Sequence, residues 1–179
     1  MSKTVNILAT AIRSAVNGEP FDNVVNKLKE LDEVKVKVWR EHESVKLPTY
    51  AKEGDACMDV YVHDIEMKSD GRVVYHTGLH FKLPNDYEME IRPRSSNTKT
   101  VAVMQNAPGT LDEGYTGELM IVHRNVDFPT IANPRYKIGD RCAQILVRRR
   151  ENIVWDEVTN IEDLGTTERG AGGFGSSGK

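Results

Sequence analysis

A chain of 179 residues, 39% of them apolar, is long enough for one domain with a real core plus a small appendage, and too short for two full domains. A formal net charge of −3 with 28% charged residues supplies no basic field for wrapping nucleic acid and points to a small ligand. The only cysteines, Cys57 and Cys142, stand far apart in no CxxC or Cys/His spacing, which argues against a zinc site or a disulfide framework and suits a reducing, cytoplasmic setting.

In chain order, residues 1–18 carry Lys3 and Arg13 and no acid, a composition shared with transit peptides, but Arg13 interrupts any secretory apolar core. From Thr4 to Val16 the residues Val5, Leu8, Ala9, Ile12 and Val16 recur at helical spacing, with Ile7 off the main stripe, and Asn17-Gly18 ends the pattern. After Glu19-Pro20 the series Phe21, Val24, Val25, Leu28 and Leu31 repeats it. A helical hairpin over residues 1–33 is expected to pack its two stripes against each other and the main domain; docking an unknown protein partner is the alternative. No apolar run approaches the ~18 residues of a membrane span.

Beyond Glu33 the texture changes to alternation and short apolar runs: Val34–Val38, Met58–Val62, Arg72–Leu83, Glu88–Ile91, Glu118–Val122 and Cys142–Val147. Gly, Pro, Asn and Asp clusters separate them and no long helical pattern intervenes, so residues 34–164 read as an antiparallel β-sandwich or barrel. After Leu164 the composition shifts to Gly, Ser and Thr, and residues 165–179 are expected to form a mobile tail.

Four polar stretches lie on this scaffold. Arg92-Pro93-Arg94-Ser95-Ser96-Asn97 gathers arginines and hydroxyls beside a proline that fixes the backbone, and Gly139-Asp140-Arg141-Cys142-Ala143-Gln144 brings an arginine and an amide to the start of a strand. Between Asn106 and Asn125, Pro108, Gly109, Gly114 and Gly117 lead into a strand and leave Asp112 and Tyr115 on a tight bend. A carboxylate there suits either capping of its own turn or general-base work. The tail, Arg169 to Gly178, combines glycines that let amides approach an anion, a forked arginine, two serine hydroxyls and one aromatic ring, Phe174. A Gly-Ser linker is the alternative, but a linker has no use for that ring.

Taken in this order the segments resemble the five motifs of the trimeric deoxyuridine triphosphatases (dUTPases): Gly54 to Val62 with Ala56 and Asp59, Pro93 to Ser96, Asn106 to Asn125, Gly139 to Gln144, and Arg169 to Gly178. The resemblance covers the chain from about Val34 to the end. It departs from the usual pattern at Cys57, at Asn97-Thr98-Lys99 and in residues 1–33. It implies a jelly-roll-like β fold and a homotrimer whose active sites are shared between subunits, with the tail borrowed from a neighbour. It also implies hydrolysis of dUTP to dUMP and pyrophosphate with Mg2+.

The same resemblance assigns roles. Asp112 is the general base, since a carboxylate is ionised at neutral pH and can take a proton from water attacking the α-phosphorus. Arg94, Ser95, Ser96, Gln144, Arg169 and Ser176 hold the phosphates, and Asp59 acts on the metal through water. Asn106 and the main chain of Gly109, Thr110 and Leu111 read uracil, Tyr115 packs on the sugar, and Phe174 with Gly175 closes over the base. A site that satisfies specific polar atoms discriminates by about 10⁴ to 10⁵, whereas excluding one methyl by fit gives only about 10- to 200-fold. The nearest rival is the dCTP deaminases, which share the fold and the Arg-Ser-Ser loop. Their catalytic glutamate stands three places before the motif asparagine, where this chain has Val122. A non-catalytic homologue that kept the fold is the rival from another class.

Overall fold

A computed structural model of the chain describes residues 3–29, 33–127 and 131–172. Among the described residues two α-helices, α1 (Lys3–Val16) and α2 (Phe21–Lys29), precede nine strands. The strands are β1 (Lys37–Arg40), β2 (Met58–Tyr61), β3 (Asp64–Met67), β4 (Arg72–Lys82), β5 (Tyr87–Arg92), β6 (Ala102–Met104), β7 (Gly109–Leu111), β8 (Glu118–Asn125) and β9 (Arg141–Arg149). All pairings are antiparallel and form two open sheets, β1-β4-β8-β6 with β3 also on β4, and β2-β9-β5-β7. This is the expected jelly-roll-like sandwich rather than a closed barrel.

Alternation along the strands explains why the sheets stack. In β8, Leu119, Ile121 and His123 are buried while Met120 is exposed. In β4, Val73, Tyr75, Leu79 and Phe81 face the same core, and Val60, Met89, Ile91, Leu111, Ala143 and Ile145 meet them from the second sheet. Cys142 belongs to this core, where burial pushes its thiol up to about 12, so it is no nucleophile at neutral pH.

The helical hairpin departs from expectation in its facing. Among the residues of α1 whose burial is described, Ala11 and Ser14 are buried and Ile7 half-buried, whereas Leu8, Ile12 and Val16 are exposed. The helices pack on one another and on no strand to a comparable degree. Small residues at Ala11 and Ser14 let the axes approach closely, so the weaker stripe forms the contact and the stronger one faces solvent. Leu31, expected in the second helix, lies outside the described residues.

Three strands escaped sequence reading: β3, with the polar run Asp64–Met67, and the three-residue β6 and β7. The expected first strand, Val34–Val38, begins only at Lys37 and runs to Arg40, because pairing with Leu79–Lys82 of β4 sets its limits rather than its own alternation.

One core residue carries a measurable consequence. His123 is 2% exposed, lies edge-on to Tyr75 and Tyr136, and neither ring nitrogen has a hydrogen-bond partner among the described residues. Burial holds its pKa down to about 4 from the ordinary 6.5. The unfolded chain therefore binds a proton that the folded chain refuses between those values, and stability falls as pH drops from 6.5 toward 4. At pH 5 the loss is about 2 kcal/mol. His123→Leu is expected to unfold in urea with this acid-sensitive component removed, which parallel unfolding curves at pH 7.5 and pH 5 will measure.

Candidate active site

The four-stranded sheet aligns the first polar cluster by register. Asp59 on β2 pairs with Gln144 on β9, which pairs in turn with Arg92 on β5. Beyond β5 the chain turns at Pro93 and enters a short 3-10 helix, Ser95–Lys99, so Arg94 projects back over the row. The Arg94 Nε donates to Asp59 Oδ1 at 2.8 Å, and an Arg141 guanidinium nitrogen donates to Asp59 Oδ2 at 2.9 Å. Arg94 also reaches the Ser96 hydroxyl and the Arg141 carbonyl at 3.3 Å, and the Gln144 amide donates to the Pro93 carbonyl at 3.2 Å. Asp59 is buried, so its charge aligns two cations that keep donors free for an anion.

That geometry bears on magnesium. The ion takes oxygen ligands in an octahedron and keeps several waters. Both Asp59 oxygens already accept from arginines, and the described residues contain no cluster of three or more acidic, His or Cys side chains arranged to hold an ion. The cluster fits a phosphate chain that brings its own metal better than a protein-built metal cage.

The second cluster surrounds a pocket of about 290 Å³. Asn106, Gly109, Thr110, Leu111 and Tyr115 line it together with Ile91 and the start of β8, so five of the expected substrate residues do meet. The Asn106 side chain works as a short strand edge: its Nδ2 donates to the Met120 carbonyl at 2.9 Å and its Oδ1 accepts from Val122 N–H at 2.9 Å. One amide hydrogen and one lone pair remain for a ligand. Tyr115 folds over Gly117, where a Cβ would sit 2.5 Å from the phenol oxygen, and its hydroxyl donates to the Glu118 carbonyl at 3.0 Å. Only glycine leaves room for that ring.

Asp112 follows β7 directly and is exposed. Its carbonyl accepts from Tyr115 N–H at 3.0 Å, while its carboxylate makes no hydrogen bond among the described residues. The capping role is thus unfilled. The turn is held instead by Lys82, which donates to the Glu113 carbonyl at 2.7 Å, and by His80, bonded to the Thr116 carbonyl at 2.9 Å and to Glu41. Glu41 and the Thr116 carbonyl raise the pKa of His80.

Within one chain the pocket adjoins the Gln144 row through Ile91, which neighbours Arg92 on β5, but Asp112 lies at the far end of the pocket strand. Leu111, just before Asp112, pairs with Met89, three residues before Arg92, which is roughly 10 Å along the strand. Arg169 lies in an exposed turn and donates to the Gly172 carbonyl at 2.9 Å. Phe174, Gly175 and Ser176 lie outside the described residues. Arg141 was legible only as a turn arginine, because its bond to Asp59 depends on the β2–β9 pairing.

A cationic row and a base-sized pocket on an antiparallel sandwich define a nucleotide-handling β protein. The family model for dUTPase matches residues 43–178, and the chain belongs to that family. The deoxyuridine 5'-triphosphate nucleotidohydrolase of Fusobacterium nucleatum is 40% identical over 155 residues, covering 83% of this chain and 100% of the relative. The enzyme of that name from Solibacter usitatus is 37% identical, with 82% and 97% covered.

Among solved structures, a mutant dUTPase of Staphylococcus bacteriophage 80alpha with dUpNHpp superposes with a TM-score of 0.64 at 23% identity, covering 81% of this chain and 99% of that one. A mutant dUTPase of phage phi11 of S. aureus, described for its coordination of a structural Mg(II) ion, gives 0.57 at 20% identity, with 72% and 99% covered. These two establish likeness of fold. Among the described residues no helix is long and apolar enough to cross a membrane.

Proposed function

We infer that this member of the dUTPase family hydrolyses dUTP to dUMP and pyrophosphate, with Asp112 as general base. The observation that carries the reading is the pocket of Asn106, Gly109, Thr110, Leu111 and Tyr115, with the free carboxylate of Asp112 on the turn between Leu111 and Tyr115. Asp112 takes a proton from water, the water oxygen bonds to the α-phosphorus, and the bond to the bridging oxygen breaks so that pyrophosphate leaves. Arg94, Ser95, Ser96, Gln144, Arg169 and Ser176 hold the phosphates. Asn106 and the main chain of Gly109, Thr110 and Leu111 read the uracil edge, Tyr115 packs on the sugar, and Phe174 and Gly175 close over the base. Mg2+ bound to the phosphates that these residues hold would neutralise part of their charge.

The reading includes a homotrimer with shared sites. Three features support it: the offset of Asp112 from the Gln144 row along one chain's sheet, the exposed Val101, Val103, Met120 and Val126 along β6 and β8, and an arm in which Ile153, Val154 and Trp155 are 63%, 82% and 88% exposed. Apolar side chains this exposed support a surface that another subunit covers. Residues 1–33 then form an extension outside the family match, residues 34–164 the catalytic domain and residues 165–179 its tail. Two free thiols support a cytoplasmic setting.

The test is pyrophosphate release measured side by side with dUTP, dCTP, dTTP and UTP. Release from dUTP far above the other three is the expected result. Ammonia from dCTP would assign the chain to the deaminases instead, against the Val122 that occupies their glutamate position.

A further inference from the structure

Between His76 and His80 strand β4 departs from its ladder. His76 pairs with Met120 and His80 with Glu118, so three residues of β4 stand opposite the single Leu119 of β8. Gly78 sits at the crest with φ +65°, and a Cβ there would lie 2.7 Å from Val45 Cγ2, so no other residue fits without strain. The bulge is fastened to β8 by Thr77, whose hydroxyl donates to the Leu119 carbonyl at 2.6 Å, and by Glu118. Glu118 Oε1 accepts from Gly78 N–H at 2.8 Å, and its Oε2 bonds to His76 Nδ1 at 2.8 Å.

Glu118 is therefore tied on both sides. Its side chain, 15% exposed, holds the bulge, while its own carbonyl accepts the Tyr115 hydroxyl at 3.0 Å, and it lines the same pocket. We propose that Glu118 is a positioning residue that sets the depth of Tyr115 in the pocket and hence the discrimination between deoxyribose and ribose substrates. The inference rests on the reading of Tyr115 as the residue packed on the sugar.

Shortening the side chain leaves the Gly78 N–H without its acceptor and frees the first residue of β8 to shift. Tyr115 moves with it, because its acceptor is that residue's carbonyl. Glu118→Gln keeps the reach and an oxygen for Gly78. Glu118→Ala loses both bonds, and Glu118→Asp keeps the charge but is one methylene too short to span His76 and Gly78.

The experiment is kcat/KM for dUTP and for UTP in the full-length wild type and these variants, with thermal unfolding of each. The dUTP-to-UTP ratio is expected to fall roughly 10-fold in Glu118→Asp and Glu118→Ala and to be restored to near wild type in Glu118→Gln. If Glu118→Ala does not fold, Glu118→Asp against Glu118→Gln decides. Lowered melting temperatures with an unchanged ratio make Glu118 merely structural and overturn the proposal. Tyr115→Phe, which keeps the ring, and Tyr115→Ala are run alongside. A wild-type ratio in Tyr115→Ala removes the sugar-gate premise, a failure separable from that of Glu118.

Discussion

Asp112→Asn is expected to bind dUTP with near wild-type affinity and to release pyrophosphate about 10²- to 10⁴-fold more slowly, the usual contribution of a positioned general base. The turn does not depend on the carboxylate. Its hydrogen bonds run from Tyr115 N–H to the Asp112 carbonyl, from Lys82 to the Glu113 carbonyl and from His80 to the Thr116 carbonyl, and the amide of asparagine leaves all three in place. The substitution thus removes a proton acceptor while keeping shape. Titration of the variant with a non-hydrolysable dUTP analogue measures binding, and pyrophosphate release measures the chemical step. Retained turnover would move the base elsewhere. Lost binding would mean that the carboxylate holds substrate rather than activating water.

The same turn shows which parts of the site are legible in a sequence. Asp112 and Tyr115 are visible because glycines and a following strand mark a bend, and the five-motif resemblance gives that bend chemistry. Strands β5 and β8 are visible because they bury alternate residues, and β4 and β9 because they carry short apolar runs that the core buries. Strands β6 and β7 are not, because three residues carry no period and exist only through pairing with β8 and β5. The fastening of Glu118 to Gly78 is invisible for a related reason: it joins residues 40 positions apart through a bulge whose register only the folded sheet defines. In α1 the most apolar stripe is not the buried one, since small Ala11 and Ser14 decide which face a neighbouring helix can approach.

Asp59 is the position where sequence and geometry differ most in meaning. Resemblance makes it a holder of metal-bound water; the structure surrounds it with Arg94 and Arg141, each bonded to its own oxygen. Asp59→Ala would leave two guanidiniums side by side without a counter-charge. Breaking a buried pair costs several kcal/mol, and because the Arg141 side chain is 44% exposed the expected loss here is about 3 kcal/mol, at the low end of that range. Arg94 would then lose its fixed orientation toward phosphate, and a misplacement of about 1 Å costs roughly 10²-fold in rate. Urea unfolding reads the first effect and kcat/KM for dUTP the second. Raising Mg2+ separates the two roles. A residue that holds a metal-bound water loses affinity for the ion, so excess magnesium restores activity to its variant. A residue that aligns arginines leaves nothing for the ion to replace, and Asp59→Ala is expected to stay at its reduced rate throughout the magnesium titration. Recovery at high Mg2+ would return Asp59 to the metal.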